Sequence, residues 1–240
     1  MYPRIMMTSI SSYYWAIRVF GYFIKKYWPD HPEVCVAGFS HPQFDLPERF
    51  SFHSMGDTDW PADKWTDQVI GFLNSQPDRY WMFVHEDYWI YKDVDSQTVS
   101  TVYSYIQDHN DILRVDLSSD RLNSGCAVDH EKYNGVDLIK TPAGCQYQMS
   151  HQWGMWNKER WLELLVAGEI PQDAELRGSQ RLAARPDIIV LGTRQHPIRY
   201  IPTIIGGKTL KWNGYDYPFK ISDEDIQELR NRNWLPEWVK

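Results

Sequence analysis

The sequence predicts an α/β fold: a mostly parallel central sheet with helices on both faces. Three observations predict it. Short apolar, β-rich runs alternate with segments of helical periodicity through residues 4–118. Those runs are almost continuously apolar, as strands buried on both faces are. No internal repeat or low-complexity linker divides the 240 residues, enough for one substantial core.

The elements follow in order. "RIMMTSI" (4–10) reads as the first strand. "SSYYWAIRVFGYFIKKYW" (11–28) carries apolar residues at helical spacing, with Ser at the N-cap and Pro29 as the stop. "EVCVAGF" (33–39) and "RFSFHSMG" (49–56) read as strands two and three. "PADKWTDQVIGFLNSQ" (61–76) is helical in pattern, and "YWMFVHED" (80–87) is the fourth strand. "SQTVSTVYSYIQDHN" (96–110) reads as a helix and "DILRVDLS" (111–118) as another strand. The second half is less regular. Strand-like runs lie in 135–156, helices at 157–168 and 174–184, and a late strand at 187–193. A loop or hairpin follows at 199–219, then a capped helix at 222–232. The chain reads as one domain, 1–240, with halves 1–119 and 120–240.

Composition narrows the function. Aromatic residues make up 15% of the chain, with 12 Trp and 15 Tyr, which suits flat-faced ligands as well as a Trp-rich core. The net charge of -7 and the absence of a long basic run count against extended nucleic-acid binding. Cys35, Cys126 and Cys145 match neither a zinc pattern nor a disulfide framework, so a reducing, cytoplasmic setting is expected. No run approaches a membrane-spanning length. The N-terminus is a poor signal peptide and reads as a strand.

Strand four ends in His85, Glu86 and Asp87. In parallel α/β sheets, ligands bind beyond the carboxyl ends of the strands. Two acids there suit a Mg²⁺ or Mn²⁺ ion whose shell a diphosphate completes. The plain alternative is a solvated loop or a helix cap.

With "FVHEDYW" at this place, the sequence resembles the small GT-A-type, nucleotide-sugar-dependent glycosyltransferases of bacteria and viruses. That family carries a "DxD" or "EDD"-like motif after its fourth strand. "YQMSHQWGMWNKERWLELLVAGEIPQDAELRGSQRL" is similar to its acceptor-side segment, and the resemblance covers about residues 4 to 220. It implies a GT-A-like fold with a nucleotide-sugar-binding half (1–119) and a smaller acceptor-side lobe (120–240). The motif here is His-Glu-Asp rather than Asp-x-Asp, a departure that bears on metal dependence.

The resemblance also implies roles. Asp87 matches the metal- or ribose-contacting acid and Glu86 its neighbour, with His196 as a third metal ligand to Mn²⁺ or Mg²⁺. Thr8 and Ser9 match the loop that touches the nucleotide base. Asp57, Asp59 and Trp65 lie where the family contacts nucleotide or sugar. Glu175 matches the acid near the reacting sugar carbon, a general base in an inverting enzyme. Trp153 and Trp156 either line the acceptor site or pack the second lobe. Bland readings stand beside these: Glu near a helix start is favoured by the dipole, and Asp in a turn by turn geometry.

The expected activity is therefore transfer of a sugar from a nucleotide-diphosphate donor to a hydroxyl, metal-assisted, in a bacterium or an infected host cell. The acceptor is a glycan or lipid-linked sugar, or a hydroxymethylated base in viral DNA. The second reading has a basic patch of Arg177, Arg181, Arg185, Arg194, Arg199, Lys208 and Lys211 in its favour. Competing classes are a nucleotidyltransferase, disfavoured because "TSISSYYW" has neither glycine nor lysine, a non-catalytic carbohydrate-binding protein, and a metal-dependent hydrolase.

Overall fold

The computed structural model describes residues 2–56, 64–205, 208–209 and 221–237, with the strand backbone alone at 204–205 and 208–209. The first half runs β1 (Ile5–Thr8), α1 (Tyr14–Tyr27), β2 (Val34–Gly38), β3 (Phe50–Ser54), α2 (Trp65–Ser75), β4 (Tyr80–His85), β5 (Tyr88–Ile90), α3 (Ser96–Asp108) and β6 (Ile112–Asp116). The second runs α4 (Asp120–Asn123), β7 (Val128–Tyr133), β8 (Val136–Lys140), β9 (Gly154–Asn157), α5 (Lys158–Leu162), α6 (Pro171–Ala183), β10 (Ile189–Thr193), β11 (Tyr200–Pro202), β12 (Ile204–Ile205), β13 (Lys208–Thr209) and α7 (Asp223–Asn231).

A nine-stranded sheet has the order β3-β2-β1-β4-β9-β6-β10-β8-β7. β3, β2, β1 and β4 are mutually parallel, as are β6 and β10. β9 runs antiparallel between β4 and β6, and β8 and β7 close the far edge antiparallel. The near-continuous apolar strands have the expected cause. In β1, Ile5 and Met7 pack in one cluster with α1 and α3, while Met6 packs in the other with α2, α5 and α6. Alternate side chains therefore meet helices on both faces.

Sequence and structure differ at a few elements. Ser11 and Ser12 form a 3-10 turn rather than cap α1, whose N-cap is Tyr13. The helix expected over 157–168 ends early, at Leu162, and Gly168 takes a positive φ of 84° beyond it. The strand β7 is unforeseen, because "VDHEKY" shows no apolar alternation. Its hairpin to β8 turns at Asn134 and Gly135, with φ of 46° and 88°. An Asn-Gly pair is the standard sequence for such a turn.

α7 is tied to α1 by one carboxylate. Ser222 caps α7, and Asp225 in its first turn accepts from Lys26 Nζ at 2.6 and 2.7 Å and from Tyr22 Oη at 2.6 Å. Burial alone would raise the Asp225 carboxyl, but the bonds from Lys26, Tyr22 and Ser222 outweigh it and hold it below its ordinary value. The stabilisation is present above the unfolded-state pKa, about 3.9, and is lost as the pH falls through the depressed folded value. Asp225→Ala is expected to destabilise the fold by about 2 kcal/mol. The urea midpoint checks this, and an unchanged midpoint at pH 7 would rule the tether out.

Candidate functional site

The site is built at the carboxyl ends of β1 and β4. Parallel pairing sets Thr8 beside His85. The Thr8 hydroxyl lies 2.9 Å from His85 Nδ1. Ser9 follows, buried. Glu86 and Asp87 form the turn from β4 into β5, and they are 6% and 7% exposed. The backbone pins this turn. Trp89 Nε1 donates to Glu86 O at 3.1 Å, and the Thr203 N–H and hydroxyl both donate to Asp87 O at 2.9 Å. The acids are thus enclosed rather than solvated. Burial, and then the charge of Asp87, push the Glu86 carboxyl well above its ordinary value, offset only in part by Ser9 and its own backbone.

β5 pairs with β11, which brings Tyr200 onto Tyr88 as a stacked pair with centroids 4.9 Å apart. The Tyr88 phenol is pushed up by burial and then by Asp87, Glu175, Asp120 and Glu86. Acids from three parts of the chain thus act on one phenol. Two buried arginines pair with acids at the end of β6. Arg114 on β6 reaches Asp116 at 3.4 Å and Asp120 at 3.6 Å. Arg121 on α4 donates to Asp120 Oδ2 and to Tyr147 O, both at 2.6 Å.

Glu175 lies on α6. Its Oε1 accepts from the His151 N–H at 2.6 Å. Burial raises its carboxyl, opposed in part by that N–H and by Arg114. It opens onto a cleft of about 520 Å³ that Asp120, Tyr147, Ser150 and Gln152 also line. A carboxyl raised above its ordinary value beside a polar cleft is placed to exchange a proton with a bound hydroxyl.

The positions expected from the sequence fall into three groups. Thr8, Ser9, Glu86, Asp87 and Glu175 are gathered around this end of the sheet. Asp57 and Asp59 lie outside the described residues. Of the remaining four, Trp65 and His196 have different surroundings from those expected, and Trp153 and Trp156 take the packing alternative. Trp65 is fully buried and packs on His151 and Phe83, with centroids 4.6 and 6.3 Å away, so it backs the site rather than facing a ligand. Trp153 stacks on Phe20 and Trp156 on Trp161, both fully buried, so packing describes them and neither presents a face to an acceptor. His196 feels Arg199 and Asp116 rather than Glu86 or Asp87.

Among the described residues, no three His, Cys, Asp or Glu side chains converge to hold a metal ion, so Glu86, Asp87 and His196 do not form a ligand set. The donors present fit a hard cation only where substrate phosphates complete its shell, with one or two carboxylate oxygens from the protein. Cys126 and Cys145 approach each other across a span that includes the β7–β8 hairpin, with Cα atoms 7.7 Å apart, more than the usual disulfide separation, while Cys35 is free and buried.

Sequence reasoning missed Arg114, Asp116, Asp120, Arg121, His151, Tyr88 and Tyr200. For two of them the signal was available. "DLSSD" (116–120) sets acids at the end of a strand, the same pattern that singled out Glu86 and Asp87.

Burial also holds His31, His53, His85, His130, His151 and His196 below the ordinary imidazole value, His85 down to about 4. Below pH ~6.5 the unfolded chain binds protons that the folded chain refuses. Stability is therefore expected to fall as the pH drops from about 6.5 towards 4. Urea midpoints across that window check it, and a flat profile would contradict the neutral, buried state of these rings.

No protein-family model and no curated protein sequence matches the chain. Solved structures that match in part include S. aureus TarS 1-349, with a TM-score of 0.47 at 13% identity, covering 79% of this chain and 58% of that one. The same TarS fragment in complex with UDP gives 0.47 at 14%, covering 79% and 57%. A mycobacterial protein gives 0.44 at 11%, covering 80% and 64%. The chain thus spans less than two thirds of the length of these structures. Likeness at this level bears on none of the side chains described above. No helix among the described residues is long and apolar enough to cross a membrane.

Proposed function

We propose that the chain is a glycosyltransferase that moves a sugar from a nucleotide-diphosphate sugar to a hydroxyl of a glycan acceptor. The observation that carries this reading is that Glu86 and Asp87 follow β4 at the carboxyl ends of the parallel strands, with Glu175 held by the His151 N–H on a cleft that Asp120 also lines. The donor lies over Thr8 and Ser9, with its diphosphate towards Asp87. The acceptor enters the cleft beside Glu175. Glu175 takes the proton from the acceptor hydroxyl as its oxygen bonds to the anomeric carbon. The bond from that carbon to the diphosphate breaks, and the nucleoside diphosphate leaves with the electron pair. Asp87 would share a Mg²⁺ or Mn²⁺ ion with the diphosphate oxygens, and that ion would neutralise charge on the leaving group.

A neutral glycan is preferred to DNA as acceptor because four of the second-half arginines have carboxylate partners. Arg177 pairs with Asp173, Arg181 with Glu169, Arg185 with Glu163 and Asp187, and Arg194 with Asp129. Those pairings reduce the positive charge these four offer to a phosphate backbone.

The test is a thermal-shift screen of UDP-, GDP-, CDP- and dTDP-sugars, each with and without Mn²⁺. A ligand that binds only the folded state raises the melting temperature by mass action. One nucleotide class is expected to raise it, more so with Mn²⁺, and Asp87→Ala is expected to lose that increment while still unfolding cooperatively. No shift with any donor would favour a binding protein without donor chemistry. An undiminished shift in Asp87→Ala would remove Asp87 from the donor site.

A further inference from the structure

A second cavity lies at the opposite end of the sheet. Residues 18, 21, 22 and 25 form one face of α1, and this face, the loop 45–49 and the segment after α7 enclose about 620 Å³. The topology fixes its place. α1 starts beyond the carboxyl end of β1 and runs back to the amino ends of β2 and β3, where Arg49 directly precedes β3. Glu86 and Asp87 are at the carboxyl end of β4, so the two sites are on opposite ends of the molecule.

The lining is basic in an acidic protein. Arg18, Lys25, Lys26, Arg49 and Arg232 face Asp45 and Glu48, whereas the chain as a whole carries -7. Lys25 pairs with Glu48 at 3.1 Å, Lys26 with Asp225, and Arg232 with Glu228 at 2.6 Å. Arg18 and Arg49 make no ion pair among the described residues, although Arg49 adds to Lys25 in holding the Glu48 carboxyl below its ordinary value. Arg18 instead lies over the Phe44 ring at 4.0 Å, which orients its guanidinium. Arg49 is held at φ 65°, a left-handed conformation uncommon for such a side chain. The groove is rigidly framed. A Cβ added at Gly21 would lie 2.5 Å from Pro47 Cγ, so helix and loop are in close contact. Arg232 lies between Trp234 and Tyr22, 4.9 and 6.0 Å from their rings.

We propose that this groove is a binding site for phosphate-bearing anions, distinct from the donor site. The Arg18 guanidinium, oriented by Phe44, and that of Arg49 in the same groove, supported by paired lysines, match the planar fork by which arginine grips phosphate. The phosphate could belong to a soluble molecule or to a lipid headgroup, and the chemistry is shared.

The test titrates pyrophosphate into the full chain at constant ionic strength and follows the melting temperature. In a parallel arm, flotation with phosphatidylcholine vesicles containing phosphatidylglycerol reads lipid binding. The proteins are the native chain, the double variant Arg18→Gln/Arg49→Gln, and Asp87→Ala. A saturable rise with pyrophosphate is expected, weakened about tenfold or more in the double variant and kept in Asp87→Ala. Vesicle binding lost only in the double variant would support the same groove with a lipid as the source. Binding of undiminished affinity in the double variant, in either arm, overturns the proposal, as does the absence of binding in both arms. Neither outcome depends on whether transfer activity is found.

Discussion

Glu175→Gln is expected to lower turnover by about 10²–10⁴-fold while leaving donor binding unchanged. The amide keeps an oxygen able to accept from the His151 N–H, which lies 2.6 Å from Oε1 in the native chain, so the cleft should hold its shape. What is lost is the ability to take a proton. The pH profile separates this from a structural effect. A base must be ionised, so the native rate rises with pH through the Glu175 pKa. Burial places that limb above the ordinary carboxylate range, though His151 and Arg114 moderate it. In the glutamine variant the limb should vanish from whatever residual rate remains. Steady-state rates from pH 4 to 8 check it, and an unchanged rate would remove Glu175 as the base.

Gly154→Ala is expected to destabilise the fold by about 3 kcal/mol. Gly154 lies on β9 between β4 and β6, opposite Phe83 and Asp116. A Cβ there would be 2.5 Å from Arg114 Nε and 3.3 Å from its Cζ. Arg114 is fully buried, so its guanidinium cannot swing out to water. Displacing it would break its pairing with Asp116 and Asp120, and with that the turn that carries Asp120 into the site. The denaturation midpoint checks the loss. Adding Arg114→Met should recover part of it, because the clash and the stranded charge go together. Full additivity of the two changes would show that the glycine is not there for the arginine.

The first half of the fold was legible because its strands are buried on both faces and its helices carry clear apolar faces. β1, α1, β2, β3, β4, α3 and β6 all fall within a few residues of where periodicity put them. The second half was less legible for physical reasons. β7 is a charged edge strand whose side chains face water, so it has no apolar pattern to read. β9 is a short insertion between two parallel blocks, and a single sequence does not state which strands become neighbours. In the site, the acids at the end of β4 could be read because a polar pair after an apolar run is conspicuous. Trp153 and Trp156 could not be sorted from sequence alone, since a tryptophan that stacks on a sugar and one that stacks on Trp161 look the same there. His151 and Arg114 act through tertiary neighbours, Glu175 and Asp120, that are distant in sequence.

The central claim is that a nucleotide sugar binds at the carboxyl ends of β1 and β4. A crystal structure of the chain soaked with the nucleoside diphosphate chosen by the thermal-shift screen tests it most directly. The account predicts density for the diphosphate beside Asp87, the base over Thr8 and Ser9, and the cleft at Glu175 left open for an acceptor. A well-occupied nucleotide elsewhere, with the Glu86–Asp87 turn untouched, would contradict it.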